Sequence, residues 1–224
     1  MKYLTNLQSG TQRRYLPLRF LAPQRDLWLT CSQYSTALLI INKGEVNDLD
    51  VSHPKKMTYN KDRGLRIGVL LLDTVQLLDA APVDLFGMLS APYMRARDFP
   101  PSLISLALEN VTILYISPTY DPNSYKPSAS FAECTAESAL RVTRSLTSPD
   151  CSPGALDILL IPGPPTSYKI TPDVKDFVRA HTATEGTTVM TVCVGVYVAA
   201  QAGILDGKTA TAPLWRLAEV KKRF

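Results

Sequence analysis

From Leu65 onward the chain alternates short, nearly continuous apolar runs with segments of helical period. That alternation restricts it to a parallel sheet covered by helices on both faces. Leu65 to Leu72 (LRIGVLLL) reads as a strand buried on both sides, and Val111 to Ser117, Ala155 to Ile161 and Thr187 to Val192 read the same way. Between these runs, Pro82 to Ala91 reads as a helix with proline in its first turn, and Pro101 to Glu109 as a second apolar helix. A third helix starts at the Thr171 cap and Pro172, carries Asp173 at the positive end of its dipole, and stops at Gly186. Its apolar stripe is Val174, Phe177 and Val178. Val194 to Ala202 follows as a helix of small residues. In such sheets ligands bind beyond the carboxyl ends of the strands, near a topological switch point. The site is therefore expected in the loops after Leu72, Ile161 and Val192.

Residues 1–63 have a different character. Up to Arg25 the bases are Lys2, Arg13, Arg14, Arg19 and Arg25, with no acid among them. Such a segment has the composition of a mitochondrial transit peptide, but a disordered tail or a misassigned start is the favoured reading. A polar linker is expected over His53-Pro54-Lys55-Lys56 and Asn60 to Gly64. The expected division is an extension, disordered or targeting, over 1–63 and an α/β domain over 64–224, in a cytoplasmic protein or, alternatively, a mitochondrial one.

Composition narrows the function classes. An apolar share of 46% supports a real core, and a net charge of +4 spread along the chain without interleaved aromatics argues against nucleic acid as a partner. The four cysteines (Cys31, Cys134, Cys151 and Cys193) show no C-x-x-C spacing and only two histidines accompany them, so no metal site is expected. Reduced thiols are the simpler reading in a chain with this much core. No apolar run approaches the roughly 18 residues that span a bilayer, so no membrane partner is expected either. The run from Ala37 to Ile41 is too short and too far in to be a signal peptide.

Each of the three loops offers chemistry. After the Thr187 strand, Thr191-Val192-Cys193-Val194-Gly195 puts a nucleophile at a strand-to-helix turn with glycine two residues on. A helix amino terminus facing the sulfur favours thiolate; a buried small hydrophobe is the alternative role for Cys193. After the first strand, Asp79 is either a proton carrier or the cap of the helix beginning at Pro82, and local sequence favours the cap. After the Ala155 strand, Gly163 in Pro162-Gly163-Pro164-Pro165 lets backbone approach a ligand. The prolines donate no hydrogen bond, which leaves the Val194 N–H with most of the task of holding an oxyanion.

Taken together, IGVLLLDTVQLLDAAPVDLFG (Ile67 to Gly87), LDILLIPG (Leu156 to Gly163) and VCVGVYVAAQAGILDGKTAT (Val192 to Thr211) resemble the DJ-1/PfpI superfamily of class I glutamine amidotransferase-like proteins. The acid in the LLD segment looks most like isonitrile hydratase and its fungal relatives. The resemblance implies a flavodoxin-like parallel sandwich. It also implies Cys193 as nucleophile, Asp79 as acidic partner, and Gly163, Val194 and Gly195 around the oxyanion or substrate. The implied activity is hydration of an isonitrile to an N-substituted formamide, without cofactor, in a homodimer that binds a small molecule, with fungal secondary metabolism as the implied setting. A glyoxalase or deglycase acting on dicarbonyls, and a non-catalytic redox sensor or chaperone-like protein, stand beside it. The sequence departs from the pattern in three places. Val194 replaces a threonine, Thr211 to Trp215 contains no histidine, and the chain stops at Lys221-Lys222-Arg223-Phe224, short for the family. Neither His53 nor His181 falls in an expected active-site loop, and His181 is expected at the surface.

Overall fold

The computed structural model describes residues 28–30, 37–41, 63–208 and 210–224. Its elements in chain order are β1 (Trp28–Thr30), β2 (Ala37–Ile41), β3 (Leu65–Leu70), α1 (Leu77–Ala80), α2 (Pro82–Met88), α3 (Ala91–Arg95), α4 (Pro101–Ile104) and β4 (Val111–Ile116). There follow β5 (Phe131–Cys134), β6 (Ser138–Arg141), β7 (Ile158–Ile161), α5 (Pro172–Ala183), β8 (Thr188–Val192), α6 (Val196–Ala202) and α7 (Leu217–Arg223). The main sheet has the order β1-β2-β8-β7-β3-β4. Strands β4, β3, β7 and β8 run parallel, as the alternation predicts. The fold is a parallel sheet flanked by helices, flavodoxin-like in class.

Period-two side-chain alternation divides the apolar runs between two cores. Leu65, Ile67, Val69 and Leu71 of the β3 region enter one, with Ile158 and Leu160 of β7 and Met190 and Val192 of β8. Leu70, Leu72, Leu159, Ile161 and Val189 enter the other, beneath Val174, Phe177 and Val178 of α5 and the small residues of α6. The first face is closed by Val83 of α2 and by Ala132 and Cys134 of the β5–β6 hairpin. At the amino edge the buried Asp157 carboxylate pins β3 to β7, accepting from Arg63 Nη2 at 2.5 Å and the Arg66 N–H at 2.7 Å.

The structure departs from the expected elements in several ways. Pro82 to Ala91 is not one helix, because α2 ends at Met88 and Ser90 caps a new short helix by accepting the Tyr93 N–H. The helix expected to Glu109 stops at Ile104. The β5–β6 hairpin had no sequence signal: its turn uses Ala136 and Glu137 at positive φ rather than the usual glycine or asparagine. Two segments of the expected extension are strands of the main sheet, β2 pairing antiparallel with β8 and β1 with β2. For those two segments the reading as a separate disordered or targeting extension gives way to sheet pairing. The other residues of the extension before Arg63, including the basic stretch and most of the expected linker, lie outside the described residues. Among the described residues no helix is long and apolar enough to cross a membrane.

Candidate active site

The switch point of the sheet falls between β3 and β7, whose chain neighbours β4 and β8 lie on opposite sides. Asp79 follows β3, Gly163 follows β7, and Cys193 follows β8, so three adjacent strands deliver the three expected residues to one edge.

At the end of β8 the backbone turns sharply. Cys193 has φ of 54°, left-handed for a residue with a side chain, and opens a 3-10 turn (Cys193–Gly195) before α6. Such a conformation costs about 1–3 kcal/mol and persists only where the surroundings enforce it. Gly195 shows one enforcing contact: a Cβ there would strike the Ile161 carbonyl oxygen at the end of β7. Only glycine lets the elbow pass that close to its neighbour.

Asp79 sits inside α1, fully buried. It is not the cap that local sequence favoured: the residue preceding α2 is Ala81, with no side-chain capping bond. One carboxyl oxygen, Oδ2, accepts the Gly163 N–H at 3.2 Å; the other, Oδ1, is buried without a well-formed hydrogen bond. Burial pushes the Asp79 carboxyl up to about 6, opposed by the Gly163 bond and by hydrogen bonding to the Cys193 thiol. Gly163 is the meeting point, since a Cβ there would lie 2.6 Å from Val194 Cγ2 and 2.8 Å from Asp79 Oδ2.

Cys193 is 8% exposed, and its thiol is pushed up to about 11. Burial is the main cause and the Asp79 charge adds to it; a hydrogen bond from the Val194 N–H and the positive charge of Arg216 act the other way. Desolvation and the Asp79 charge thus oppose the thiolate that a helix amino terminus would favour.

The Gly163 N–H, expected near an oxyanion or substrate, donates to Asp79 in the structure. Pro164 and Pro165 add no donors to the loop after β7. His181 is fully buried, not at the surface. Its Nδ1 lies 2.9 Å from the Phe177 carbonyl, and burial holds the ring below its ordinary value. His53 lies outside the described residues.

Arg216, in a 3-10 turn (Leu214–Arg216) before α7, was not anticipated. Its Nη1 pairs with Glu219 at 2.6 Å and its guanidinium lies 4.5 Å from the Trp215 ring centroid. The only sequence signal was its place just after Thr211 to Trp215. No group of side chains fit to hold a metal ion occurs among the described residues.

A family model described as the DJ-1/PfpI family matches residues 89–222, more than half of the chain. The chain belongs to the DJ-1/PfpI family. The match includes Cys193, Gly163 and Arg216 and begins after Asp79. No curated protein matches the sequence. Among solved structures, the chain is similar to a putative transcriptional regulator from Vibrio parahaemolyticus at 17% identity and a TM-score of 0.46, over 71% of this chain and 73% of that one. It is also similar to DJ-1 of Schizosaccharomyces pombe at 14% identity and a TM-score of 0.44, over 70% and 73%.

Proposed function

We propose that this DJ-1/PfpI protein is a cysteine-dependent enzyme of isonitrile hydratase type, converting an isonitrile to an N-substituted formamide. The observation that carries the reading is the juxtaposition of the buried Cys193 thiol and the buried Asp79 carboxyl at one sheet edge, meeting across Gly163 and close enough for the acid to act on the sulfur. Addition to an isonitrile needs the thiol proton. As the Cys193 sulfur bonds to the terminal carbon, Asp79 takes the thiol proton and delivers it to the same carbon, giving the thioimidate R–N=CH–S–Cys. Water then adds across the C=N bond, its proton passing through Asp79 to nitrogen. The carbon–sulfur bond breaks, the thiol regains its proton from the new hydroxyl, and R–NH–CHO leaves. Atoms and electrons balance without a cofactor.

The donor-poor loop favours this reading over acyl or carbonyl chemistry. Charge in the first step develops on carbon, where a proton quenches it, so few oxyanion donors are required. A peroxide-sensing role fits less well, because oxidation proceeds through thiolate and the Cys193 thiol is pushed the wrong way. Purified protein incubated with an alkyl isonitrile should yield the N-alkyl formamide, and Cys193→Ala should yield none. Lactate formed from methylglyoxal, with no formamide from the isonitrile, would move the assignment to a glyoxalase. Absence of both products would overturn the enzyme reading.

A further inference from the structure

Between β3 and α1 the chain crosses to the buried acid through Leu71 to Gln76, and the β5–β6 hairpin holds the end of that crossing at three points. The Val75 N–H donates to the Glu133 carbonyl at 3.0 Å, and the Thr135 N–H donates to the Val75 carbonyl at 3.0 Å. The Leu77 N–H donates to Thr135 Oγ1 at 3.1 Å. This third bond falls on the first residue of α1. The first N–H groups of a helix have no partner within it and commonly take one from a cap side chain. Gln76, the residue before α1, makes no such side-chain bond, so the hydroxyl of a distant threonine takes its place. Helix α1 has only 4 residues, far too few to hold itself, and Asp79 is its third. Where the carboxyl lies therefore depends on what anchors the helix.

The hairpin turn shows strain consistent with that task. Ala136 and Glu137 have φ of 64° and 53°, a region that glycine and asparagine occupy more readily. Backbone held there costs free energy and persists only where the surroundings enforce it. Here Ser138 Oγ closes the turn on the Thr135 carbonyl at 3.0 Å, and buried Val75 and Cys134 bridge the hairpin to the crossing.

We propose that Thr135 is a positioning residue for Asp79: its hydroxyl anchors the first turn of α1 and so fixes the carboxyl beside Cys193. The inference rests on the pairing of Asp79 with Cys193 in the reading above and not on the isonitrile substrate. Thr135 is exposed, so water can take over part of the lost bond, and removing the hydroxyl loosens the acid without freeing it.

The test reads Asp79 through the thiol it faces and needs no turnover. Asp79 helps to hold that thiol protonated, so a displaced acid lets Cys193 react faster. Thr135→Val keeps the side-chain shape and removes the acceptor. Iodoacetamide should then label Cys193 about threefold faster than in wild type at pH 8, part of the way to the Asp79→Asn rate. Thr135→Ser restores the oxygen and should return the wild-type rate. In an Asp79→Asn background Thr135→Val should change nothing further, because the two substitutions act through one group. Ser90→Ala removes the α3 cap, away from this segment, and should melt lower with labelling unchanged. A wild-type rate in Thr135→Val overturns the proposal, as does an equal acceleration in the Asp79→Asn background or in Ser90→Ala. If labelling moves as expected but an alkyl isonitrile gives no formamide, the role of Thr135 stands and the isonitrile reading falls.

Discussion

Asp79 and Cys193 hold one proton between them on unequal terms: the carboxyl is pushed up only to about 6, the thiol to about 11. Each is raised chiefly by burial, and the charge of Asp79 raises the thiol further. Across the interval between the two values the pair is a thiol donating toward a carboxylate. In the proposed reaction that form loses a proton from sulfur and returns it to carbon, which would make the interval the working range.

Turnover should follow it. With an isonitrile substrate, kcat/KM is expected to rise through a single ionisation near pH 6, as Asp79 loses its proton, and then to hold level toward pH 9. Asp79→Asn retains an oxygen that can accept the Gly163 N–H but carries no proton, so activity should fall by about a hundredfold or more with the rise near pH 6 gone. Full turnover in Asp79→Asn would falsify the proton-carrier assignment.

Alkylation should respond to Asp79→Asn in the opposite direction. Cys193 is largely protonated at neutral pH, so its iodoacetamide rate should climb about tenfold per pH unit from 7 to 10. Because the Asp79 charge helps raise the thiol, Asp79→Asn should label faster at pH 8 even as its turnover collapses. A flat pH dependence would mean that the sulfur is already a thiolate, as the elbow sequence alone suggested.

What the sequence made legible and what it hid separate along physical lines. Period-two and helical patterning depend on neighbours close in the chain, and they placed Leu65 to Leu72, Thr187 to Val192 and the helix at Pro172 near their observed positions. The three loops converge as expected because a parallel sheet puts every strand's carboxyl end on one edge. Burial, by contrast, depends on the whole fold. The thiol's upward shift, the depth of His181 and the use of the Gly163 N–H by Asp79 follow from packing between distant parts of the chain, which no local motif carries. Asp79 illustrates the limit: local preference made it a cap, and tertiary packing made it the partner of Cys193.

Asp79 should also leave a mark on stability. Its folded carboxyl is raised above the ordinary 3.8, so its relative stabilising effect is complete below about pH 4 and is lost as pH rises through about 6. Asp79→Asn, which does not titrate, should therefore gain on wild type between those values. The gain is bounded at about 3 kcal/mol, because each tenfold change in proton affinity is worth about 1.4 kcal/mol. Thermal melts at pH 4.5 and pH 8 check the sign. A mutant that loses ground as pH rises would contradict the raised carboxyl.

The amino-terminal strands give the sharpest structural test. As a linker and tail, residues 1–62 should be removable at no cost. In the structure, Ala37–Ile41 pairs along β8 with Leu38 opposite Val192 and Ile41 opposite Val189, and Val192 is the residue before the nucleophile. Deleting residues 1–62, while keeping Arg63 and its bond to Asp157, strips β8 of one neighbour and leaves its backbone donors and acceptors as an open edge. An edge strand of this kind invites pairing between molecules, and the strained elbow at its end loses support. The truncated protein is expected to melt at least about 5 °C lower, on the scale of 2–4 °C per kcal/mol for a chain of this size, and to self-associate. Amide exchange in Val189 to Val192 should be faster than in the full chain. A truncated monomer that melts at the full-length temperature with those amides equally protected would show that β2 contributes nothing to the sheet and that residues 1–62 are a separable extension after all.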